Sequence, residues 1–106
     1  MNQPILQQIV DLIVPLVEPD KIILFGSYAR GDATENSDVD LLVLKKGLDD
    51  ERGTTDAIYD VLFDNEIDIA VDVIPMDYDR YYELNDVIGY IYRVIEREGK
   101  ILYETA

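Results

Sequence analysis

The run Lys21-Ile22-Ile23-Leu24-Phe25, stopped at once by Gly26-Ser27, does most to limit what this chain can fold into. Consecutive large apolar side chains leave a strand no polar face, so such a strand must be buried on both sides. That places it inside a sheet covered by helices. The rest of the chain supplies the other pieces. Pro4 is followed by Ile5, Leu6, Ile9, Val10, Leu12, Ile13, Leu16 and Val17, a period near 3.6 that predicts an amphipathic helix. Pro15 should kink or end it between Val14 and Pro19. Tyr28 to Arg30 reads as one helical turn, and Gly31 to Ser37 as a loop. Asp38 to Leu44 reads as a second strand, closed by Lys45-Lys46-Gly47. Ala57, Ile58, Val61, Leu62 and Phe63 mark a helix between Thr54 and Asn65, with Thr54 or Thr55 as its cap.

Ile67 to Ile74 alternates, with Ile67, Ile69, Val71 and Val73 on one face and Asp68, Ala70, Asp72 and Ile74 on the other. Pro75 is expected to end that strand. Asp79 to Glu98 is helical in pattern, broken near Asn85-Asp86. Its apolar face is Val87, Ile88, Ile91, Val94 and Ile95, and Gly99 is its cap. Ile101 to Tyr103 closes the chain as a short strand. The order predicts an α/β (α+β) fold, a small mixed β-sheet backed by helices with one open face for a site. Residues 1–106 are expected to form a single domain.

Charge and missing residue types narrow the chemistry. The chain carries 9 Lys and Arg against 23 Asp and Glu, a net charge of −14. Phosphate backbones and anionic membranes are held by clustered cations, so neither nucleic acid nor a membrane is an expected partner. Cysteine and histidine are absent, which removes thiolate and imidazole metal sites and every Ser-His or Cys-His mechanism. No apolar run is long enough to span a bilayer, and Met-Asn-Gln-Pro lacks the basic start of a secretory signal. A cytoplasmic protein is expected. Its chemistry must rest on carboxylates, hydroxyls, Lys, Arg and backbone amides.

Such groups gather in Gly26-Ser27-Tyr28-Ala29-Arg30-Gly31 and Asp38-Val39-Asp40. A glycine at a strand end lets backbone amides approach an anion, and the turn that follows starts a helix whose first amides are unpaired. Ser27 adds a hydroxyl donor. Asp38 and Asp40, two apart on a strand, point to the same face while Val39 and Leu41 enter the core. Carboxylates that close repel unless a cation lies between them, and an all-oxygen set suits Mg²⁺ with substrate phosphates. Asp72 shares the polar face of its own strand. If that strand neighbours the first, three aspartates meet, a ligand set for two metals roughly 3.5–4 Å apart that clamp an in-line phosphoryl or nucleotidyl transfer. Asp68 is the competitor on the same face, disfavoured because it lies nearer the strand start. Arg30 either neutralises phosphate or pairs with Asp32 or Glu35.

Gly26-Ser27, ten intervening residues and Asp38-Val39-Asp40 resemble the signature of DNA polymerase β-type nucleotidyltransferases. The fuller Gly-Ser-Tyr-Ala-Arg-Gly and Ser-Asp-Val-Asp-Leu are similar to the minimal nucleotidyltransferase (MNT) antitoxins of HEPN/MNT toxin–antitoxin pairs, and the likeness runs through Arg97-Glu98-Gly99-Lys100-Ile101-Leu102-Tyr103-Glu104. The resemblance implies that Gly26 and Ser27 hold a nucleoside triphosphate; Arg30 is the candidate nucleotide-binding residue beside them, with the carboxylate pairing as its other reading. It implies that Asp38 and Asp40 bind both Mg²⁺ ions, and that Asp72 completes the catalytic metal site and helps deprotonate the acceptor. The implied reaction moves AMP from ATP to a tyrosine hydroxyl of a HEPN ribonuclease toxin.

Shortness supports a macromolecular acceptor, because 106 residues leave no room for a second substrate-binding domain. The alternative is a non-catalytic acidic antitoxin that silences the toxin by docking alone. Among the remaining features, Tyr28 borders either a ligand or a partner, or is structural. Tyr81, Tyr82, Tyr90 and Tyr92 read as core or interface aromatics. Lys45-Lys46 reads as a guard on a sheet edge.

Overall fold

The computed structural model describes residues 3–87 and 91–105. Its elements run α1 (Gln3–Val17), β1 (Lys21–Phe25), α2 (Ser27–Arg30), β2 (Val39–Lys45), α3 (Glu51–Asp64), β3 (Val71–Asp77), α4 (Tyr78–Leu84), α5 (Ile91–Glu98) and β4 (Lys100–Glu104). The strands form one mixed sheet in the order β3-β2-β1-β4. β1 is antiparallel to both neighbours, and β2 pairs with β3 in parallel. A parallel pair needs a crossover, and α3 supplies it.

The apolar run of β1 sits where its composition requires, between two strands and under helices on both faces. On one face Ile22, Leu24, Val39, Leu41 and Val43 pack with Ile9 and Ile13 of α1 and Ile58 and Leu62 of α3. On the other, Ile23, Leu42, Leu44 and Met76 pack with Tyr81 of α4 and Ile95 of α5. Each such side chain contributes about 1.5–3 kcal/mol by leaving water. Leu42 and Leu44 share the face of Asp40, so α4 and α5 cover that face at one end and leave it open at the aspartate end. α1 passes through Pro15 for two more residues and stops at Val17, where Glu18 turns left-handed and its N–H donates to the Val14 carbonyl.

Several expectations need correction. The third strand covers Val71–Asp77 rather than 67–74, and Pro75 lies inside it. β3 is an edge strand, so a residue without an N–H costs no ladder bond there. The same outward edge is occupied at Val73, whose N–H donates to the Tyr59 hydroxyl at 3.0 Å. α3 begins at Glu51 and is capped by Asp50, whose carboxylate accepts from the Gly53 N–H. Thr54 and Thr55 lie within the helix and donate back to the carbonyls of Asp50 and Glu51. Lys45 and Lys46 guard no edge, because β2 is internal. Lys45 instead donates to the Val17 and Glu18 carbonyls at the end of α1, and Lys46 lies over the Tyr78 ring.

The buried helical stripes are also narrower than the periodicity suggests. Phe63 is 83% exposed, since α3 buries only the stripe of Ile58 and Leu62. In the last helical region Ile95 is buried while Val87, Ile91 and Val94 are exposed. α5 is a short helix that presses a single stripe onto the sheet. Ile88 and Tyr90 lie outside the described residues. Tyr81, Tyr82 and Tyr92 do pack in the second core, and Tyr28 is buried in the first. No helix among the described residues is long and apolar enough to cross a membrane.

Candidate active site

The site is built where β1 ends and where β2 and β3 begin. In the register of the sheet, Phe25 lies beside Asp40, and Asp40 lies beside Asp72. Directly paired residues project to the same face, so both carboxylates stand on the face that carries Leu42 and Ile74 further along. Asp38 immediately precedes β2 and is exposed, as is Asp72, while Asp40 is half-buried between them. Asp68 falls in the segment before β3 and is exposed. The register therefore selects Asp72 as the carboxylate opposite Asp40.

Gly26 is fitted to Asp40. It adopts φ +77°, a region that favours glycine, and a Cβ added there would strike the Asp40 carboxylate. The turn can therefore bring backbone right under a charged group. Gly26 then caps α2, its carbonyl accepting from the N–H groups of Ala29 and Arg30. Gly31 ends this single turn at φ +86°, its N–H donating to the Ser27 carbonyl. Ser27 is thus the first residue of a helical turn at the strand end, half-buried beside the aspartates.

The electrostatics of the cluster are unfavourable as they stand. Burial, then the charges of Asp72 and Asp38 and hydrogen bonding with Asp72, push the Asp40 carboxyl above its ordinary range. Arg30 opposes this by favouring the ionised form. Its own contacts are Asp32 at 3.3 Å and Glu98 at 3.7 Å, so of its two expected carboxylate partners the structure shows Asp32, and adds Glu98 in place of Glu35. Glu98, at the end of α5, is the neighbour of the cluster that sequence reasoning missed. Nothing in the local pattern ties residue 98 to residue 30; only the packing of α5 brings them together.

For a divalent cation the donor set is chemically apt: oxygen-only, anionic, and open to solvent at Asp38 and Asp72. Among the described residues no three acidic side chains are drawn into a ready-made cage. Asp40 and Asp72 are in contact range, and Asp38 acts on Asp40 at longer range. Mg²⁺ commonly takes one or two carboxylates plus substrate phosphates, so an open arrangement of this kind fits it. Tyr28, by contrast, is buried in the α1–α3 core.

The glycine turn at the end of β1 thus faces carboxylates carried by the parallel pair β2 and β3. The chain belongs to the nucleotidyltransferase domain family, whose profile matches residues 5–102. Short stretches resemble curated proteins of Methanocaldococcus jannaschii: 70% identity over 27 residues with "Putative protein adenylyltransferase MJ0141" and 71% over 31 residues with "Putative protein adenylyltransferase MJ1305". Those stretches cover 26% and 29% of this chain and 27% and 21% of the relatives. Among solved structures, a "putative nucleotidyltransferase from Sulfolobus solfataricus" matches with TM-score 0.60 and 24% identity over 95% of this chain and 78% of the other. A toxin-antitoxin crystallised with AMP-PNP matches with TM-score 0.59 and 22% identity over 99% and 75%. A mutant of the toxin-antitoxin MntA-HpeT matches with TM-score 0.60 and 23% identity over 93% and 73%. These structural likenesses establish the fold.

Proposed function

We propose that residues 1–106 act as one minimal nucleotidyltransferase domain, a cytoplasmic antitoxin that transfers AMP from ATP to a tyrosine hydroxyl of a HEPN ribonuclease toxin. The observation that carries this is the pairing of Asp40 with Asp72 above a glycine that cannot bear a side chain. The family membership and the toxin-antitoxin structures of the same fold support it.

In this reading Gly26 and Ser27 receive the triphosphate through amides at the start of α2 and the Ser27 hydroxyl. Asp38, Asp40 and Asp72 would hold two Mg²⁺ ions, which supply charge neutralisation at the phosphates when bound. Asp72, exposed on the edge strand, accepts the proton of the tyrosine hydroxyl as that oxygen attacks the α-phosphorus. The bond from the α-phosphorus to the bridging oxygen breaks, and pyrophosphate leaves. Arg30 can exchange its partners, the exposed Asp32 and the half-buried Glu98, for phosphate oxygens, since pairs open to solvent hold weakly. The product carries a phosphodiester charge and an adenosine beside the toxin's reacting groups, which blocks RNA cleavage.

Docking alone would have no use for a strained glycine pressed against clustered carboxylates, so the catalytic reading is preferred. Incubation with α-labelled ATP, Mg²⁺ and the HEPN-domain protein tests it. The expected result is label on the partner, lost in Asp38→Ala and Asp40→Ala. Absence of label, together with intact neutralisation by both variants, overturns it.

A further inference from the structure

The outward face of α3 holds an aromatic side chain that the fold does not use. Phe63 is 83% exposed and Tyr59 is 39% exposed. With Ile67, Ile69 and Val71 they line a groove of about 380 Å³ between α3 and the approach to β3. Val71 and Asp72 are consecutive on β3 and so project to opposite faces of the sheet: the groove opens on the α3 side, and the exposed edge of β3 separates it from the carboxylates. Around it stand Asp56, Asp60, Asp64, Glu66 and Asp68, all exposed. Between Arg52 and Arg80 the chain contains no Lys or Arg. This side of β3 is therefore strongly negative, with no cation from residues 53–79 to offset it.

We infer that this groove is the docking surface for the acceptor protein, and that it takes a basic protein segment with an apolar side chain for the Phe63 pocket. The inference rests on the proposed function in taking the acceptor to be a protein. A solvated aromatic ringed by like charges has the anatomy of a binding hot spot, where the ring supplies contact area and the charges steer and select. A second copy of this chain would bring the same carboxylates face to face and be repelled. Nucleic acid and anionic lipid are repelled for the same reason. Strand addition is closed off too. The Val73 N–H is already held by Tyr59, and Pro75, two residues on along the same outward edge, has none to offer. The partner must therefore dock through side chains, and a protein seated in the groove reaches Asp72 around the edge of β3 without disturbing the sheet.

The test measures equilibrium binding of the HEPN-domain protein, without nucleotide, to wild type, Phe63→Ser, the Asp60→Lys/Asp64→Lys double variant, and Ile101→Ser on β4 as a distant exposed control. AMP transfer and sedimentation are followed in parallel. Phe63→Ser and the charge reversal should each weaken binding by at least about tenfold. Ile101→Ser should stay within about twofold, as expected of a surface change away from the contact. Because Phe63 is solvated, its loss leaves the thermal midpoint unchanged, so weaker binding is not unfolding. The inference is overturned if wild type does not bind, if Phe63→Ser binds like wild type, or if wild type is a dimer that Phe63→Ser dissociates. Phe63-dependent binding without label transfer sinks the enzymatic reading and keeps the docking surface. Transfer indifferent to Phe63 does the reverse.

Discussion

One face of the sheet ends in two opposite ways. At the start of β1, Lys21 is buried, donates to the Tyr82 hydroxyl, pairs with Glu104 at 3.2 Å and lies against the Tyr78 and Tyr82 rings. Burial works against its charge, yet those partners outweigh the penalty and hold its pKa above the ordinary value. Tyr81 beside it is fully buried and donates to Glu96 at 2.8 Å. At the far end of the same face, Phe25, Asp40 and Asp72 stand in one row, and the charges there repel. One end is a finished core with every charge answered. The other keeps a conflict that folding does not resolve, and only a bound cation or proton can remove it. In the proposed reading, stability and function occupy opposite ends of the same strands.

The sharpest way to break this comparison is to mutate each end and read both stability and transfer. Asp72→Asn should cut AMP transfer by roughly 10²–10⁴-fold, the usual worth of a positioned base. Its thermal midpoint should rise, because a repelling charge is gone. Next in size, Gly26→Ala should lower stability by about 1–3 kcal/mol, measured by urea unfolding, and abolish ATP binding, since the new Cβ must displace Asp40. At the other end, Lys21→Met should cost about 1–3 kcal/mol through its lost charge-assisted bonds while transfer stays close to wild type.

The smallest effect concerns Asp77, at the end of β3. Its carboxylate accepts from the N–H groups of Arg80 and Gly47, which lowers its pKa below the ordinary 3.8. A depressed folded pKa contributes stability above the unfolded value, lost as pH falls through the folded one. Asp77→Ala should therefore melt earlier than wild type at pH 7, and the gap should close below 3.8. A gap that persists in acid would assign the effect to something other than the carboxylate.

The two ends also differ in how readable they were. Gly26-Ser27 and Asp38-Val39-Asp40 declare themselves because turn chemistry and the two-residue period of a strand are local. The face of Asp72 follows from the same alternation; its neighbour does not, because pairing β3 with β2 is a long-range choice. Strand order also explains two departures: Pro75 sits inside β3 because that strand is an edge, and Lys45-Lys46 guard no edge because β2 is internal. Phe63 was misread because a helical period tells which residues share a stripe, and only the packing tells how wide the buried stripe is. The cage around Lys21 could not be seen at all: Lys21, Tyr82 and Glu104 meet across most of the chain.

The central claim is that the carboxylate end is held in repulsion for the sake of a metal. Thermal unfolding of wild type and of the Asp40→Asn/Asp72→Asn double variant, with and without Mg²⁺, tests it most directly. The metal-free double variant should melt above metal-free wild type, and Mg²⁺ should raise the midpoint of wild type alone. A double variant no more stable than wild type, or one that keeps the Mg²⁺ response, would contradict the account.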